Sequence, residues 1–250
     1  MSPGLKDELE HQAVASWGVL LARGALHEFY AGAQADGASL SALMMMLALA
    51  ESEGSTLWIR HGEHDREVGV PHPAGLAELG LDPARILFLR APDPASALQA
   101  GLEGTRCASL GAVVIELWGA VKAYDLTASR RLALAAGTSG TRVLLARMAT
   151  APHPSAAETR WQVRAAPSRA MAANAPGNPA FEMTLMRARN GREGLRYPVE
   201  WDRDARKLVS RLPSAAAGAP ARRAPLSGAV VPVSFDRPGA SSVYPQRQAG

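Results

Sequence analysis

An eight-residue stretch, GAQADGAS at residues 32–39, has the residue types and the spacing of a phosphate-binding loop. Gly32 and Gly37 stand five positions apart and Ser39 supplies a hydroxyl, as in the pattern G-x-x-x-x-G-K-[S/T]. In such loops backbone N–H groups hold phosphate oxygens, the lysine reaches the terminal phosphates and the hydroxyl binds Mg²⁺. Ala38 stands at the lysine position. The stretch is therefore either a nucleotide site that lacks its charged side chain or an ordinary turn with two glycines.

The segments on either side of this loop favour the nucleotide interpretation. Residues 25–30 predict a first strand, and residues 39–53 predict a helix that is apolar on nearly every face. A strand, a glycine loop and a buried helix place a helix N-terminus where an anion can bind. The competing interpretation is structural, because Asp36, Gly37 and Ser39 would also form a turn and a helix cap.

Alternating strands and helices predict an α/β fold. The apolar runs are continuous rather than alternating, which is typical of parallel strands covered on both faces. Helical stretches separate them and favour a mostly parallel sheet with right-handed crossovers. Later segments resemble antiparallel strands that extend the same sheet. The predicted strands are 57–60, 86–89, 112–115 and 143–145, the helices are 39–53, 73–79, 94–109 and 128–136, and the antiparallel segments are 160–165, 181–189 and 197–201, with a long loop at 166–179.

The net charge of the chain is concentrated near its carboxyl end. Residues 211–250 carry five arginines and one aspartate and account for the whole net charge of +4, whereas residues 1–210 are neutral. A neutral body argues against a broad electrostatic surface for DNA. Because residues 211–250 are rich in Ala, Pro, Gly and Ser, they are predicted to be a disordered tail. The apolar cluster in this tail is a candidate partner-binding segment, formed by Val230, Val231, Val233 and Phe235.

Length and composition set the organisation of the rest. With 250 residues, 47% of them hydrophobic, the chain can bury a full core, and we predict an N-terminal helical segment at 1–19 and a core domain at 20–210. The longest apolar run, residues 42–50, is too short to span a bilayer, so no membrane association is expected. The single cysteine, Cys107, excludes an internal disulfide framework and fits a cytoplasmic location. Its position in a helical pattern predicts a buried thiol.

Further landmarks along the chain resemble a known family. RGALHEFY, LWIR, GLAELGLDPARILFLRA, LGAVVIE, DLTASRRL and SAAETRWQV, in this order, resemble ImuA, a RecA-like accessory protein of bacterial SOS mutagenesis cassettes. The resemblance covers about residues 20–205, and DLTASRRL and SAAETRWQV are its most specific parts. It implies a RecA-like P-loop NTPase core, with a mostly parallel sheet flanked by helices.

The resemblance assigns roles to three positions around the loop. Ala38 replaces a lysine whose charged hydrogen bond is worth roughly 1.5–3 kcal/mol, and phosphoryl transfer depends on positioned positive charge, so little or no hydrolysis is expected. Ser39 and Glu116 stand where Mg²⁺ is held, Glu116 at the place of the Walker B aspartate. The alternatives are a helix-capping role for Ser39 and a solvated strand-end position for Glu116.

Three more residues match positions with roles in RecA-like proteins. Glu63, in HGEH, lies near the position of a water-activating glutamate if one residue is inserted after the strand. With His61 and His64 it also suggests metal ligands, but the spacing is not that of a helical H-E-x-x-H, and a solvated loop is the favoured interpretation. Arg187 and Arg189 resemble the basic pair that RecA subunits extend toward a neighbour's nucleotide. Alternatively, both are outward-facing residues of an alternating strand.

Two loops occupy the places where RecA proteins bind single-stranded DNA. Residues 148–159 contain no lysine, arginine, Phe, Tyr or Trp, so they offer no stacking platform for bases. In residues 117–126 the candidates are Trp118, Lys122 and Tyr124, whose aromatic rings fit equally well in a core. DNA contact is therefore expected to be weak or indirect.

The features together predict an adaptor that kept the RecA-like architecture and lost the motor. The resemblance implies three partners, namely RecA, an ImuB-like Y-family polymerase homologue and an error-prone replicative-type DNA polymerase, and association with the nucleoid during DNA damage. No cofactor is required in this interpretation, and whether the chain binds ATP with Mg²⁺ is left undecided. The alternatives are a DNA-dependent ATPase whose missing lysine is supplied by Arg187 or Arg189 of another chain, and a SulA-like inhibitor of cell division.

Overall fold

One sheet of nine strands organises the part of the chain that the structure describes. This computed structural model describes residues 20–50, 54–171, 173 and 175–211. The strand order across the sheet is β3-β2-β4-β5-β1-β6-β7-β8-β9. Neighbours from β3 to β6 in this order are parallel, and those from β6 to β9 are antiparallel. The strands are β1 (Leu26–Ala31), β2 (Ser55–His61), β3 (Ile86–Ala91), β4 (Leu110–Trp118), β5 (Arg142–Met148), β6 (Thr159–Ala166), β7 (Ala180–Ala188), β8 (Leu195–Asp202) and β9 (Lys207–Ser210).

Helices cover both faces of the parallel strands. One packs its apolar side chains against the face that includes Trp58 and Val114, and two others pack against the face that includes Ile59 and Val113. Because successive strand residues point to opposite faces, a continuous apolar strand contributes to both layers. The helices are α1 (Gly37–Ala50), which lies on the first face, α2 (Gly62–Val68), α3 (Pro73–Glu78), and α4 (Pro94–Thr105) and α5 (Leu126–Ser139), which lie on the second.

The central strands and α1 form the most buried part of the core. Every residue of β4 and β5 is buried, as expected for strands with neighbours on both sides and helices on both faces. The run of apolar side chains in α1 from Leu43 to Leu49 is also buried, so this helix has no solvent-facing stripe over that length. Burial of each leucine or methionine contributes roughly 1.5–3 kcal/mol. The loop before α1 therefore rests on a rigid element.

Aspartates begin the two helices on the second face, and a glycine ends one of them. The side chain of Asp93 accepts a hydrogen bond from the N–H of Ser96, and Asp125 does the same for Ala128. Both bonds satisfy amides that the first turn of a helix leaves free. Gly140 ends α5 in the left-handed conformation, with φ of 76°.

The antiparallel strands continue the α1 side of the core with aromatic side chains. Trp161 of β6 stacks near Phe29 of β1 with 6.4 Å between ring centroids, and lies 5.6 Å from the ring of Tyr197. Trp201 of β8 is fully buried, and its ring N–H donates to the carbonyl of Leu79. The extension is therefore part of the same core as the parallel strands.

The observed architecture confirms the predicted α/β class with a mostly parallel sheet and an antiparallel extension. Two local expectations were wrong. Cys107 lies beyond the end of α4, which stops at Thr105, and its thiol is exposed rather than buried. The segment after His61, expected to be a solvated loop, is helix α2. Residues 1–19 and 212–250, with the candidate cluster Val230, Val231, Val233 and Phe235, lie outside the described residues, and the domain boundaries stay predictions.

Candidate functional site

The glycine loop lies between the end of β1 and the start of α1, where a phosphate-binding loop belongs. Its backbone amides, however, bind groups of the protein itself. The N–H of Gly32 donates to the carbonyl of Val163 at 2.7 Å, and the N–H of Ala33 donates to Oδ2 of Asp36 at 2.9 Å. The N–H groups of Asp36 and Gly37 donate to carbonyls inside the loop. Four backbone amides of this loop are thus already engaged by groups of the protein itself.

The carboxylate of Asp36 acts as the anion of this loop. Its Oδ2 accepts from Ala33, and its Oδ1 accepts from the N–H of Ala165 on β6 at 3.0 Å. A carboxylate that receives two backbone amides has the hydrogen-bonding pattern that a bound phosphate oxygen would otherwise adopt. It also adds a negative charge to the loop, which opposes the approach of a phosphate. The residue interpreted from sequence as part of a turn therefore ties the loop to the antiparallel extension.

Side chains also fill the space around the two glycines. A Cβ atom on Gly37 would lie 3.3 Å from Val68, 3.5 Å from Met148 and 3.5 Å from the ring of Trp118. A Cβ atom on Gly32 would lie 2.3 Å from the side chain of Arg164. Apolar side chains thus pack around Gly37, the first residue of α1.

Ala38 and Ser39 lie on the first turn of α1. Ala38 is exposed, and Ser39 is half-buried at the third residue of the helix. Since α1 begins at Gly37, Ser39 lies past the N-cap position, and the capping alternative does not fit the helix boundary. Both residues have the placement expected from the loop spacing, but neither provides a positive charge.

Glu116 lies inside β4, two residues before its end, and is fully buried rather than solvated. Nε of Arg60, on β2, lies 2.8 Å from Oε2 of Glu116, at an angle outside hydrogen-bond geometry. Nε2 of His64, on α2, lies 2.9 Å from the same oxygen. Arg60 and His64 are also buried, so a guanidinium stands beside the carboxylate that was interpreted as a Mg²⁺ ligand.

This group continues to the edge of the sheet through a second acid. Nη1 of Arg60 lies 3.2 Å from Oδ1 of Asp65, and Nε of Arg90 donates to Oδ2 of Asp65 at 2.6 Å. We call the five residues Arg60, His64, Asp65, Arg90 and Glu116 the Glu116 cluster. Its two arginines balance its two acids. Among the residues that the structure describes, no group of three or more His, Cys, Asp or Glu side chains is arranged to hold a metal ion.

The segment HGEH divides between the core and the surface. His61 is buried, and its Nε2 accepts the backbone N–H of Trp118 at 3.2 Å. Burial lowers the pKa of His61, and the neighbouring His64 lowers it further. Glu63 is exposed on α2 and, with Asp93 and Lys122, lines a surface depression of about 440 Å³. The two histidines and Glu63 therefore do not converge on one point.

A second buried carboxylate joins the loops that were compared with the DNA-binding loops. Glu28 of β1 is fully buried, and both of its oxygens accept hydrogen bonds. The hydroxyl of Tyr124 donates to Oε1, that of Tyr30 donates to Oε2 at 3.3 Å, and Nε of Arg160 donates to Oε2 at 2.9 Å. Burial and then Glu28 raise the pKa of Tyr30 to about 12, and the same causes raise that of Tyr124 further. We call Glu28, Tyr30, Tyr124 and Arg160 the Glu28 cluster.

The Glu28 cluster fixes both loops to the body of the protein. Tyr124 belongs to the loop after β4, and it is buried. Arg160 also donates to the carbonyl of His153 at 2.7 Å and to the hydroxyl of Ser155 at 2.9 Å, both in the loop after β5. Tyr124 therefore binds the core, and Trp118 is buried too, which leaves Lys122 exposed among the three candidates for DNA contact. Sequence reasoning missed this cluster, although a carboxylate in a predicted buried strand signals a partner.

Arg187 and Arg189 lie at the far end of β7. Arg187 is exposed on the strand. Arg189 follows the strand, donates to the carbonyl of Ala156 at 3.1 Å, and has Nε 3.7 Å from Oε2 of Glu158. Arg189 therefore contacts the loop before β6, whereas Arg187 stays available at the surface.

The fold is similar to that of a solved RadB recombinase. The two chains share 15% sequence identity with a TM-score of 0.51, and the similarity covers 75% of this chain and 91% of that chain. No family model and no curated protein sequence matches this chain. The chain thus has a RecA-like fold. Within the described residues, no helix is long and apolar enough to cross a membrane.

Proposed function

We propose that this chain is an adaptor with a RecA-like fold that does not hydrolyse ATP and that acts in SOS-induced, error-prone translesion DNA synthesis. The absence of ATP hydrolysis is proposed from the glycine loop, where the carboxylate of Asp36 accepts hydrogen bonds from the amides of Ala33 and Ala165. A nucleotide would have to displace this carboxylate and its hydrogen bonds before a phosphate could enter. Without a lysine at Ala38, little is gained in return.

The Glu116 cluster supports the absence of turnover. Catalysis of phosphoryl transfer needs a carboxylate that orients Mg²⁺ and its water. Here Arg60 and His64 already surround Glu116, which is buried. A guanidinium beside this carboxylate opposes a divalent cation by repulsion. The catalytic roles considered for Glu63 and Glu116 are therefore not part of the proposed function.

The partners rest on the resemblance of the sequence to ImuA. They are RecA, an ImuB-like Y-family polymerase homologue and an error-prone replicative-type polymerase, reached in the cytoplasm near damaged DNA. Contact with DNA is proposed to be indirect, because Tyr124 and the loop before β6 are bound to Glu28 and Arg160. The tail cluster around Phe235 and the exposed Arg187 are the proposed contact points for protein partners.

The test is capture of partners together with a turnover assay. The full chain and a chain ending at Arg211 are immobilised, and RecA or an ImuB-like protein is passed over each. The full chain should retain at least one of them, and phosphate release from ATP should stay at background with and without single-stranded DNA. Retention of neither protein would remove the adaptor role. Turnover that Glu116→Ala abolishes would replace it with the ATPase alternative.

A further inference from the structure

The outer edge of the sheet exposes an unusual run of apolar side chains on β3. Leu87, Phe88 and Leu89 are 52%, 43% and 37% exposed. β3 is the outermost strand beyond β2 in the described sheet, so one row of its backbone N–H and C=O groups has no strand beside it. Three consecutive exposed apolar residues on such an edge form a template for pairing with another strand.

The edge lacks the features with which proteins usually block such pairing. β3 pairs with β2 in an unbroken register from Thr56↔Ile86 to His61↔Ala91, so no bulge twists it away. The strand, ILFLRA, contains no proline, and its single charged residue, Arg90, is bound to Asp65. Within the described part of the chain, the edge is therefore regular, apolar and unpaired.

An apolar groove runs beside this edge on the face that carries Phe88. It encloses about 220 Å³ between Trp58, Val70, Leu76, Ile86 and Phe88. Val70 is itself 62% exposed, and the rings of Trp58 and Phe88 meet edge to face with 5.7 Å between centroids. A strand added to β3 would direct alternate side chains toward this groove.

We infer that the edge binds a second copy of the same chain, with the two β3 strands antiparallel about a two-fold axis at Phe88. In that register Phe88 lies opposite itself, Leu87 lies opposite Leu89, and Ile86 lies opposite Arg90. Like charges do not meet, because this register places each Arg90 opposite Ile86 of the other copy. Arg90 is also paired with Asp65 of its own chain. The strand is thus complementary to itself, which an isologous interface requires.

The two faces of the paired strands both gain apolar contacts. On one face the leucines form two cross-strand pairs, which contribute about 0.2–1 kcal/mol each relative to alanine. On the other face each Phe88 borders the partner's apolar groove. The two sheets would join into one continuous sheet across the axis. This association does not depend on the adaptor function, since the pairing is argued from β3 and the groove beside it and not from the loop at Asp36.

Sedimentation equilibrium of the full chain at several concentrations tests the association. The wild type should be a dimer, and Leu87→Lys should raise the dissociation constant by roughly two- to thirtyfold, because the lysine replaces an apolar cross-strand contact in both copies. Leu134→Lys is the matched control, because Leu134 is 73% exposed but lies on α5 rather than on β3. This variant should leave the dimer unchanged. A monomer at all concentrations, or a dimer that Leu87→Lys leaves intact, would overturn the inference.

A cross-link tests the register itself. In a Cys107→Ser background, which removes the exposed native thiol, Phe88→Cys should form a disulfide-linked dimer because residue 88 faces its own copy. Leu134→Cys in the same background should not. Equal cross-linking of both variants, or of the Leu134 variant alone, would contradict the proposed pairing. Circular dichroism shows that each variant is folded before it is assessed.

Discussion

At the scale of single residues, buried polar side chains distinguish this chain most clearly from a simple α/β core. His27, Glu28 and Glu116 lie in central strands, where apolar residues would be expected. His27 and Glu28 are held by hydrogen bonds, and Glu116 lies within ion-pair distance of Arg60 and His64. A substitution at any of the three therefore leaves a polar partner behind. Their neighbours come from distant parts of the sequence.

His27 is held in its neutral form by a chain of hydrogen bonds. Its Nε2 lies 3.0 Å from the carbonyl of Ala22, so this nitrogen carries the proton and donates. Its Nδ1 lies 2.8 Å from the hydroxyl of Thr159 and accepts from it, while the ring N–H of Trp161 donates to that hydroxyl. Burial lowers the pKa of His27 to about 4, and Arg142 adds to the shift.

His27 should therefore make stability depend on pH. Its folded-state pKa lies below the unfolded value, so the unfolded chain binds the proton more readily, and its contribution is present above about pH 6.5 and is lost as the pH falls to about 4. The full loss is roughly 3 kcal/mol. Urea unfolding of the wild type and of His27→Gln from pH 7 to pH 4 measures it. The difference between the two curves should shrink by about that amount on acidification, and parallel curves would contradict the assignment.

At the scale of elements, most of the fold follows from local patterns. Continuous apolar runs predicted β2 to β5, and a stretch that is apolar on nearly every face predicted α1. Both are recognisable because an element that is buried on all sides needs apolar residues at nearly every position. α2 was missed because GEHDREV has no apolar face. It docks through His64 and Asp65, and hydrogen bonds and ion pairs to other strands leave no periodic signal in the sequence.

The candidate site was predictable only in part, because contacts between distant segments leave no local pattern in the sequence. The spacing of glycines located the loop and the end of β4 located Glu116. That Asp36 would bind an amide of Ala165, or that Arg60 would stand beside Glu116, depends on which strands become neighbours. Such pairings arise from the topology of the sheet rather than from local spacing.

The Glu116 cluster should couple β2, β4 and α2 energetically. Arg60→Met leaves Glu116 buried without its guanidinium and should lower the free energy of unfolding by roughly 3–5 kcal/mol. Adding Glu116→Gln removes the uncompensated charge, so the double variant should be more stable than the sum of the single changes indicates. Urea unfolding of the four proteins measures the coupling.

A pair at the surface provides the control for this cycle. Arg106 and Glu103 form an exposed ion pair 2.8 Å apart on α4 and the residue after it. Arg106→Met and Glu103→Gln should show no measurable coupling, because water screens the pair. If the buried pair gives additive changes as well, the cluster does not join these elements.

At the scale of the whole molecule, a RecA-like fold is combined with a loop that binds itself. The loop, the antiparallel extension and the central strands are connected through Asp36, Arg160 and Glu116. Hydrogen bonds and ion pairs inside the protein join these places, which is consistent with the proposed scaffold role. A change in the global stability of the chain on addition of ATP would therefore report binding of nucleotide.

Binding of ATP to the folded chain alone would raise its unfolding free energy, by about 2.7 kcal/mol at a concentration a hundredfold above the dissociation constant. We expect the wild type and Ala38→Lys to show no shift with millimolar MgATP, because Asp36 still holds the loop amides in both. Asp36→Gly combined with Ala38→Lys should gain a measurable shift, since the amides are freed and the charge is restored. The single variant Asp36→Gly shows how much of this shift comes from the freed amides and how much from the restored charge. Stabilisation of the wild type at the same concentration would show that the loop accepts nucleotide despite its carboxylate, and the proposed loss of the motor would then be wrong.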